Sequence, residues 1–143
     1  MIKMGVNMDC IFCKIADGEI SSTTVFEDEN FRVILDLSPA SNGHMLILPK
    51  SHARDITELS EDIAGKALVL AAKLGKAAMI ALGATGFNTL ANTGESAGQT
   101  VFHCHIHVIP RYEDGARIVS WTPGVSESEK QKETAKKIAE YIR

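Results

Sequence analysis

His103-Cys104-His105-Ile106-His107-Val108-Ile109, followed at once by Pro110, alternates imidazoles with a thiol and apolar side chains. Alternation of period two marks a half-buried β-strand, whose successive side chains point to opposite faces. The three histidines then share one face, roughly 7 Å between neighbours, while Cys104, Ile106 and Val108 point into a core. Three of the chain's five histidines fall in this row. Imidazole titrates near neutral pH, and its ring nitrogen serves as nucleophile, general acid or base, or metal ligand. One histidine on a strand is ordinarily just solvated. Three in strict alternation suit a metal site, a phosphoryl-transfer site, or both.

Upstream of the row, Asn92-Thr93-Gly94-Glu95-Ser96-Ala97-Gly98-Gln99-Thr100 is a polar loop. Gly94 and Gly98 allow close backbone approach, and Asn92, Ser96 and Thr100 add side-chain donors, a combination able to cradle an anion. Around this loop, Phe87–Ala91 and Val101–Ile109 read as strands. So do Thr23–Glu27 and Phe31–Asp36, joined by the turn Asp28-Glu29-Asn30, and His44–Leu48, which Pro49 ends. Leu59–Leu82 carries Ile63, Ala67, Leu70, Ala71, Leu74, Ala78 and Ala81 at helical spacing, with Gly83 as its C-cap and Gly75 marking close packing. Cys10–Ala16 makes one or two helical turns closed by Asp17-Gly18. Ser126-Glu127-Ser128-Glu129 reads as a capping box opening a last helix to Ile142. These elements predict an α+β fold: a mostly antiparallel sheet of about five strands, one long central helix and a C-terminal helix.

At 143 residues the chain is expected to form one domain, residues 1–143. A hydrophobic content of 45% and a charged content of 23% are those of an ordinary globular protein. The formal charge of −3 gives no electrostatic reason to expect nucleic acid. Met1–Asp9 lacks the apolar run of a secretion signal, and no stretch is long enough to span a bilayer. The three cysteines fit a reducing compartment, so a cytoplasmic location is expected. Cys10-x-x-Cys13 could be a redox pair, but such pairs follow a strand in a βαβ unit, which is not seen here. A zinc half-site suits the spacing better, with two thiolates awaiting two histidines.

These motifs together resemble the histidine-triad family. The resemblance rests on His103-Cys-His-Ile-His-Val-Ile, on Cys10-Ile-Phe-Cys-Lys-Ile, on Phe26-Glu-Asp-Glu-Asn and on Asp36-Leu-Ser-Pro-Ala-Ser-Asn-Gly-His44. Leu48-Pro-Lys-Ser-His52 and the Asn92–Thr100 loop complete it, so that it spans roughly residues 9 to 112 with all motifs in order. It looks closest to the Hint-like branch of nucleotide-binding hydrolases. Beyond residue 112, Trp121-Thr-Pro-Gly is similar to a segment of that branch.

The resemblance implies a purine nucleotide as ligand and His105 as the nucleophile on the α-phosphorus of a nucleoside 5′-phosphoryl compound. His107 would handle the transferred phosphate, and His44 would support the triad. Asn92, Gly98, Gln99 and Thr100 match the phosphate loop, and Asp36 matches the carboxylate for the ribose hydroxyls. Ile11, Phe12, Ile15, Ile34 and Leu37 match the apolar slot around the base. Plain core packing competes for these five. No metal is needed for the chemistry itself. By the same resemblance Cys10, Cys13, His52 and His103 would hold one structural Zn²⁺ per chain, and the chain would be a homodimer. The implied activity is hydrolysis of nucleoside phosphoramidates or adenylylated small molecules. Dinucleoside polyphosphate hydrolysis, a nucleotide-binding regulatory module and a zinc protein with a degenerate site stand as alternatives, the intact triad counting against the last.

Overall fold

Alternation along neighbouring strands builds a sheet with two unlike faces. The computed structural model describes residues 9–116 and 119–142. Of the N-terminal stretch read for a secretion signal, all but Asp9 lies outside the described residues. Strands β1 (Thr24–Glu27), β2 (Phe31–Leu35), β3 (Met45–Pro49), β4 (Gly86–Leu90) and β5 (Ile106–Arg111) form one sheet in the order β1-β2-β3-β5-β4. Each neighbouring pair is antiparallel. The expected hairpin is present: the Asp28 carboxylate accepts the N–H groups of Asn30 and Phe31, both at 2.8 Å, and fixes the turn between β1 and β2.

Phe31, Val33, Met45, Ile47, Ile106 and Val108 face helix α2 (Glu61–Leu82) and bury Ala67, Leu70, Ala71, Leu74 and Ala78. A fully buried side chain of this kind stabilises the fold by about 1.5–3 kcal/mol. Ile34, Leu46 and Leu48 project from the other face and pack with Ala16, Phe12 and Ile15 of helix α1 (Ile11–Asp17). Because His107 is paired with Leu46 across β3 and β5, it shares this second face. The α2 side is core; the α1 side carries His107.

The structure corrects the sequence reading at several boundaries. Helix α2 begins at Glu61, with the Ser60 hydroxyl capping the Ile63 N–H at 3.3 Å, and the expected start at Leu59 instead closes a 3₁₀ turn over Ile56–Glu58. Ala81, placed on the buried face by its spacing, is exposed, lining an open groove with Val25, Leu35 and Met45. Gly75 does mark close packing, since a Cβ on it would run into the Phe87 ring. The capping box does not form. Helix α3 (Ser128–Ala139) starts two residues beyond Ser126, with no side-chain cap and no buried residue to set its register.

The largest correction concerns the histidine row. Strand β5 begins at Ile106, not Val101, so His103 and His105 lie outside the strand. They do not continue one straight row with His107.

Candidate active site and metal cluster

The carbonyl of His103 turns back on the next histidine. It accepts the His105 Nδ1–H at 2.7 Å. A carbonyl can only accept, so the proton of the neutral ring is on Nδ1, and Nε2 of His105 keeps its lone pair. His105 is half-buried, and the Phe12 ring meets it edge-on with centroids 5.0 Å apart.

A second chain of bonds fixes His107. The Ala40 N–H donates to His44 Nδ1 at 3.0 Å, and His44 Nε2 lies 2.8 Å from His107 Nδ1. Since a backbone N–H can only donate, the proton of neutral His44 sits on Nε2 and is given to His107. That leaves the proton of His107 on its own Nε2. The rings of His105 and His107 are 5.1 Å apart, so a lone pair and an N–H donor stand side by side. Burial lowers the pKa of His107 to about 4, with the neighbouring His105 and His44 pushing the same way and Asp36 opposing. Burial also lowers that of His44, against the Asp36 carboxylate and with the help of Arg111. Asp36 is held beside them, one oxygen accepting the Ser38 N–H at 2.8 Å and the other 3.5 Å from His44 Nε2.

His103 has left the row for a different set of partners. Fully buried, it places Nε2 2.9 Å from the Pro49 carbonyl, which must be a donated N–H, so Nδ1 is a bare lone pair. That lone pair lies 3.4 Å from Cys10 Sγ, 3.4 Å from Cys13 Sγ and 3.3 Å from His52 Nδ1. Cys13 Sγ is 3.3 Å from His52 Nδ1. All four atoms lie within 4.8 Å of one another. Tetrahedral zinc with the usual Zn–N and Zn–S lengths separates its ligand atoms by about 3.3–3.8 Å, so the set has the spacing of a closed Cys₂His₂ site. Burial also lowers the pKa of His103 to about 4, so the ring is neutral as a ligand must be. Asp36, His44 and His107 form a second group of potential ligands, but the 2.8 Å hydrogen bond already uses the His107 lone pair. Cys104 points away, buried as its place in the alternation predicts, and burial pushes its thiol up to about 11.

The Asn92–Thr100 loop is folded around Gln99. This buried side chain accepts the Gly94 N–H at 2.9 Å and donates to the carbonyls of Arg54 and Val101 at 2.8 and 3.2 Å. Its amide is spent on the loop's own shape. Gly98, at φ +93°, adopts a left-handed conformation that few other residues tolerate, and Asn92 Nδ2 reaches its carbonyl at 3.5 Å. Thr100 is exposed. Of the five apolar residues, Phe12, Ile15 and Ile34 come together, Ile34 within the core, whereas Ile11 is half-exposed and Leu37 stands 98% exposed. Sequence reasoning missed the groups that set the tautomers: the Ala40 N–H and the carbonyls of His103 and Pro49. Backbone groups are the same in every residue, so no letter of the sequence could have flagged them.

The HIT domain profile matches residues 17–114, and the chain belongs to this histidine-triad family. "Protein hit" of Bacillus subtilis is 43% identical over 107 residues, covering 75% of this chain and 74% of that protein. An adenylylsulfatase of Arabidopsis thaliana is 41% identical over 105 residues, 73% of this chain and 53% of its own length. The crystal structure of a Streptococcus mutans protein superposes with a TM-score of 0.91 at 36% identity, over 98% of this chain and 90% of that one. A zinc-bound histidine triad family protein from Mycobacterium smegmatis superposes with a TM-score of 0.73 at 34% identity, over 93% and 95% of the two chains. The fold is that of the nucleotide-binding hydrolases of this family.

Proposed function

We propose that the chain hydrolyses nucleoside 5′-phosphoramidates or adenylylated small molecules through a nucleotidyl-imidazole on His105. The observation that carries this reading is the hydrogen bond from His105 Nδ1 to the His103 carbonyl, which leaves Nε2 free to attack. In the first step Nε2 of His105 bonds to the α-phosphorus as the bond to the leaving group breaks; the leaving group takes its proton from solvent, and the Nε2–H of neutral His107 donates a hydrogen bond to it. In the second step water displaces the imidazole and releases the nucleoside monophosphate, so one hard displacement becomes two easier ones. The N–H groups of the Gly98 loop, with Asn92 and Thr100, face the phosphate, and Gln99 keeps that loop in shape. Asp36 takes the ribose hydroxyls, and Phe12, Ile15 and Ile34, with Ile11 and Leu37 at the rim, face the purine. The adenylylsulfatase relative supports adenylyl transfer as the kind of chemistry.

Cys10, Cys13, His52 and His103 hold one zinc ion, a reading supported by the spacing of the four donors and by the zinc-bound relative. When bound, the ion supplies a closed structural tie and no open position for substrate. The chain is a two-fold dimer; β4 ends the sheet as an edge strand, and α2 leaves Leu68 and Ile80 65% and 77% exposed. Among the described residues no helix is long and apolar enough to cross a membrane, and we place the protein in the cytoplasm as one domain.

Turnover of an adenosine phosphoramidate, AMP-lysine and a diadenosine polyphosphate, measured side by side with His105→Ala as control, tests the assignment. The first two should be cleaved fastest. Undiminished activity of the variant would reject His105 as nucleophile.

A further inference from the structure

His103 does two jobs at once. Its ring faces Cys10, Cys13 and His52, while its carbonyl holds the ring of His105. Because β5 starts only at Ile106, both residues lie outside the sheet ladder that holds His107. A second link runs through α1. Phe12 sits between the two cysteines in sequence, and its ring meets His103 and His105 edge-on, with centroids 6.1 and 5.0 Å away. An imidazole held by one hydrogen bond still has freedom about its side-chain torsions. The Phe12 edge takes up space on one side of that ring.

Phe12 packs with Ile34, Leu46 and Leu48, and α1 carries its backbone. This helix has seven residues, of which Cys13 and Ala16 are buried. A helix so short does not persist in water without tertiary ties. Two of its ties are the cysteines, whose sulfurs lie 3.3–3.4 Å from Nδ1 of His52 and His103, within reach of weak S–H hydrogen bonds. A shared cation replaces those weak bonds with metal–ligand bonds.

We propose that the Cys10–Cys13–His52–His103 cluster, when it holds zinc, positions the ring of His105 and does not merely staple the fold, with Phe12 as the positioning residue that carries the constraint. The proposal rests on His105 being the nucleophile. Loss of the cation loosens α1, withdraws the Phe12 edge and lets the His105 ring sample orientations in which Nε2 no longer faces phosphorus.

The test records the His105 ring by ¹⁵N NMR in three samples: zinc-loaded wild type, wild type after chelation, and zinc-loaded Phe12→Leu. Zinc content, circular dichroism, kcat and KM for an adenosine phosphoramidate are measured on each. The zinc-loaded wild type should show one sharp Nδ1–H tautomer. Chelation, and Phe12→Leu with its zinc retained, should each broaden or split that signal and lower kcat by about ten- to a hundredfold, with a smaller change in KM. A Phe12→Leu protein that keeps its zinc, the wild-type ring signal and the wild-type kcat overturns the proposal, even if chelation unfolds the chain. The ring signal needs no substrate. If no adenylyl compound is turned over, the proposed function fails, and the ring spectra alone decide the positioning role.

Discussion

His44 Nε2 lies 2.8 Å from His107 Nδ1, and the proton between them belongs to His44, because the Ala40 N–H occupies His44 Nδ1. A loop amide thus dictates, through His44, which nitrogen of His107 carries the proton, the one that the proposed mechanism directs at the leaving group. His44→Ala removes the donor and leaves His107 free to take either tautomer. We expect kcat to fall by about a hundredfold, with KM for the phosphoramidate changed less. Steady-state kinetics with a poor and a good leaving group check this, since the loss should be greater for the poor one.

His105→Ala should lower turnover by about three orders of magnitude or more while AMP still binds, because the loop and the apolar residues are untouched. Calorimetric titration with AMP, beside a turnover assay, separates the two effects.

The buried histidines predict an acid-sensitive fold. His107 takes a proton near its ordinary pKa when unfolded, but in the folded protein only near pH 4. Between about pH 6.5 and pH 4 the unfolded chain therefore binds more protons, and stability rises with pH across that window. The contribution is complete above the unfolded value and is lost as pH falls through the folded one. His44 shifts in the same direction. Thermal melting between pH 7.5 and 5 should show a falling Tm, and His107→Gln should flatten part of that slope. An equal slope in the variant would show that His107 is not its source.

Gly75→Ala places a methyl group where the Phe87 ring lies. The ring cannot withdraw without disturbing the α2–β4 contact, so we expect a loss of about 1–3 kcal/mol in stability. Denaturant melts read this directly. Gly65→Ala on the exposed side of the same helix has open space around its Cβ and should be neutral or stabilising.

Sedimentation should show a dimer. Charge on the exposed α2 positions, Leu68→Glu with Ile80→Glu, should shift it toward monomer without unfolding it. A wild-type chain that sediments as a monomer at micromolar concentration would reject the dimer.

The legible parts of the molecule were those written in side-chain periodicity and spacing. β-Branched and aromatic residues foretold the strand at Phe31–Leu35, the stretch before Pro49 foretold the one at Met45–Pro49 to within a residue, and the spacing of Ala67, Leu70, Ala71, Leu74 and Ala78 foretold the buried stripe of α2. The Cys10-x-x-Cys13 spacing pointed to half a metal site on its own. Less legible was the end of alternation at Ile106. Nothing in the letters distinguishes a histidine in a strand from one in the segment entering it, and the family motif reads the same in both cases.

By itself, then, the sequence determined that three imidazoles follow a polar glycine loop where the chain enters a strand of an antiparallel sheet. Local periodicity and residue chemistry suffice for that. Only the tertiary structure decided which nitrogen of each imidazole carries the proton. The Pro49 carbonyl frees Nδ1 of His103 for the metal cluster, the His103 carbonyl frees Nε2 of His105, and the Ala40 amide, acting through His44, puts the proton of His107 on Nε2. Those partners are backbone groups, and only folding brings them to the rings whose tautomers they set.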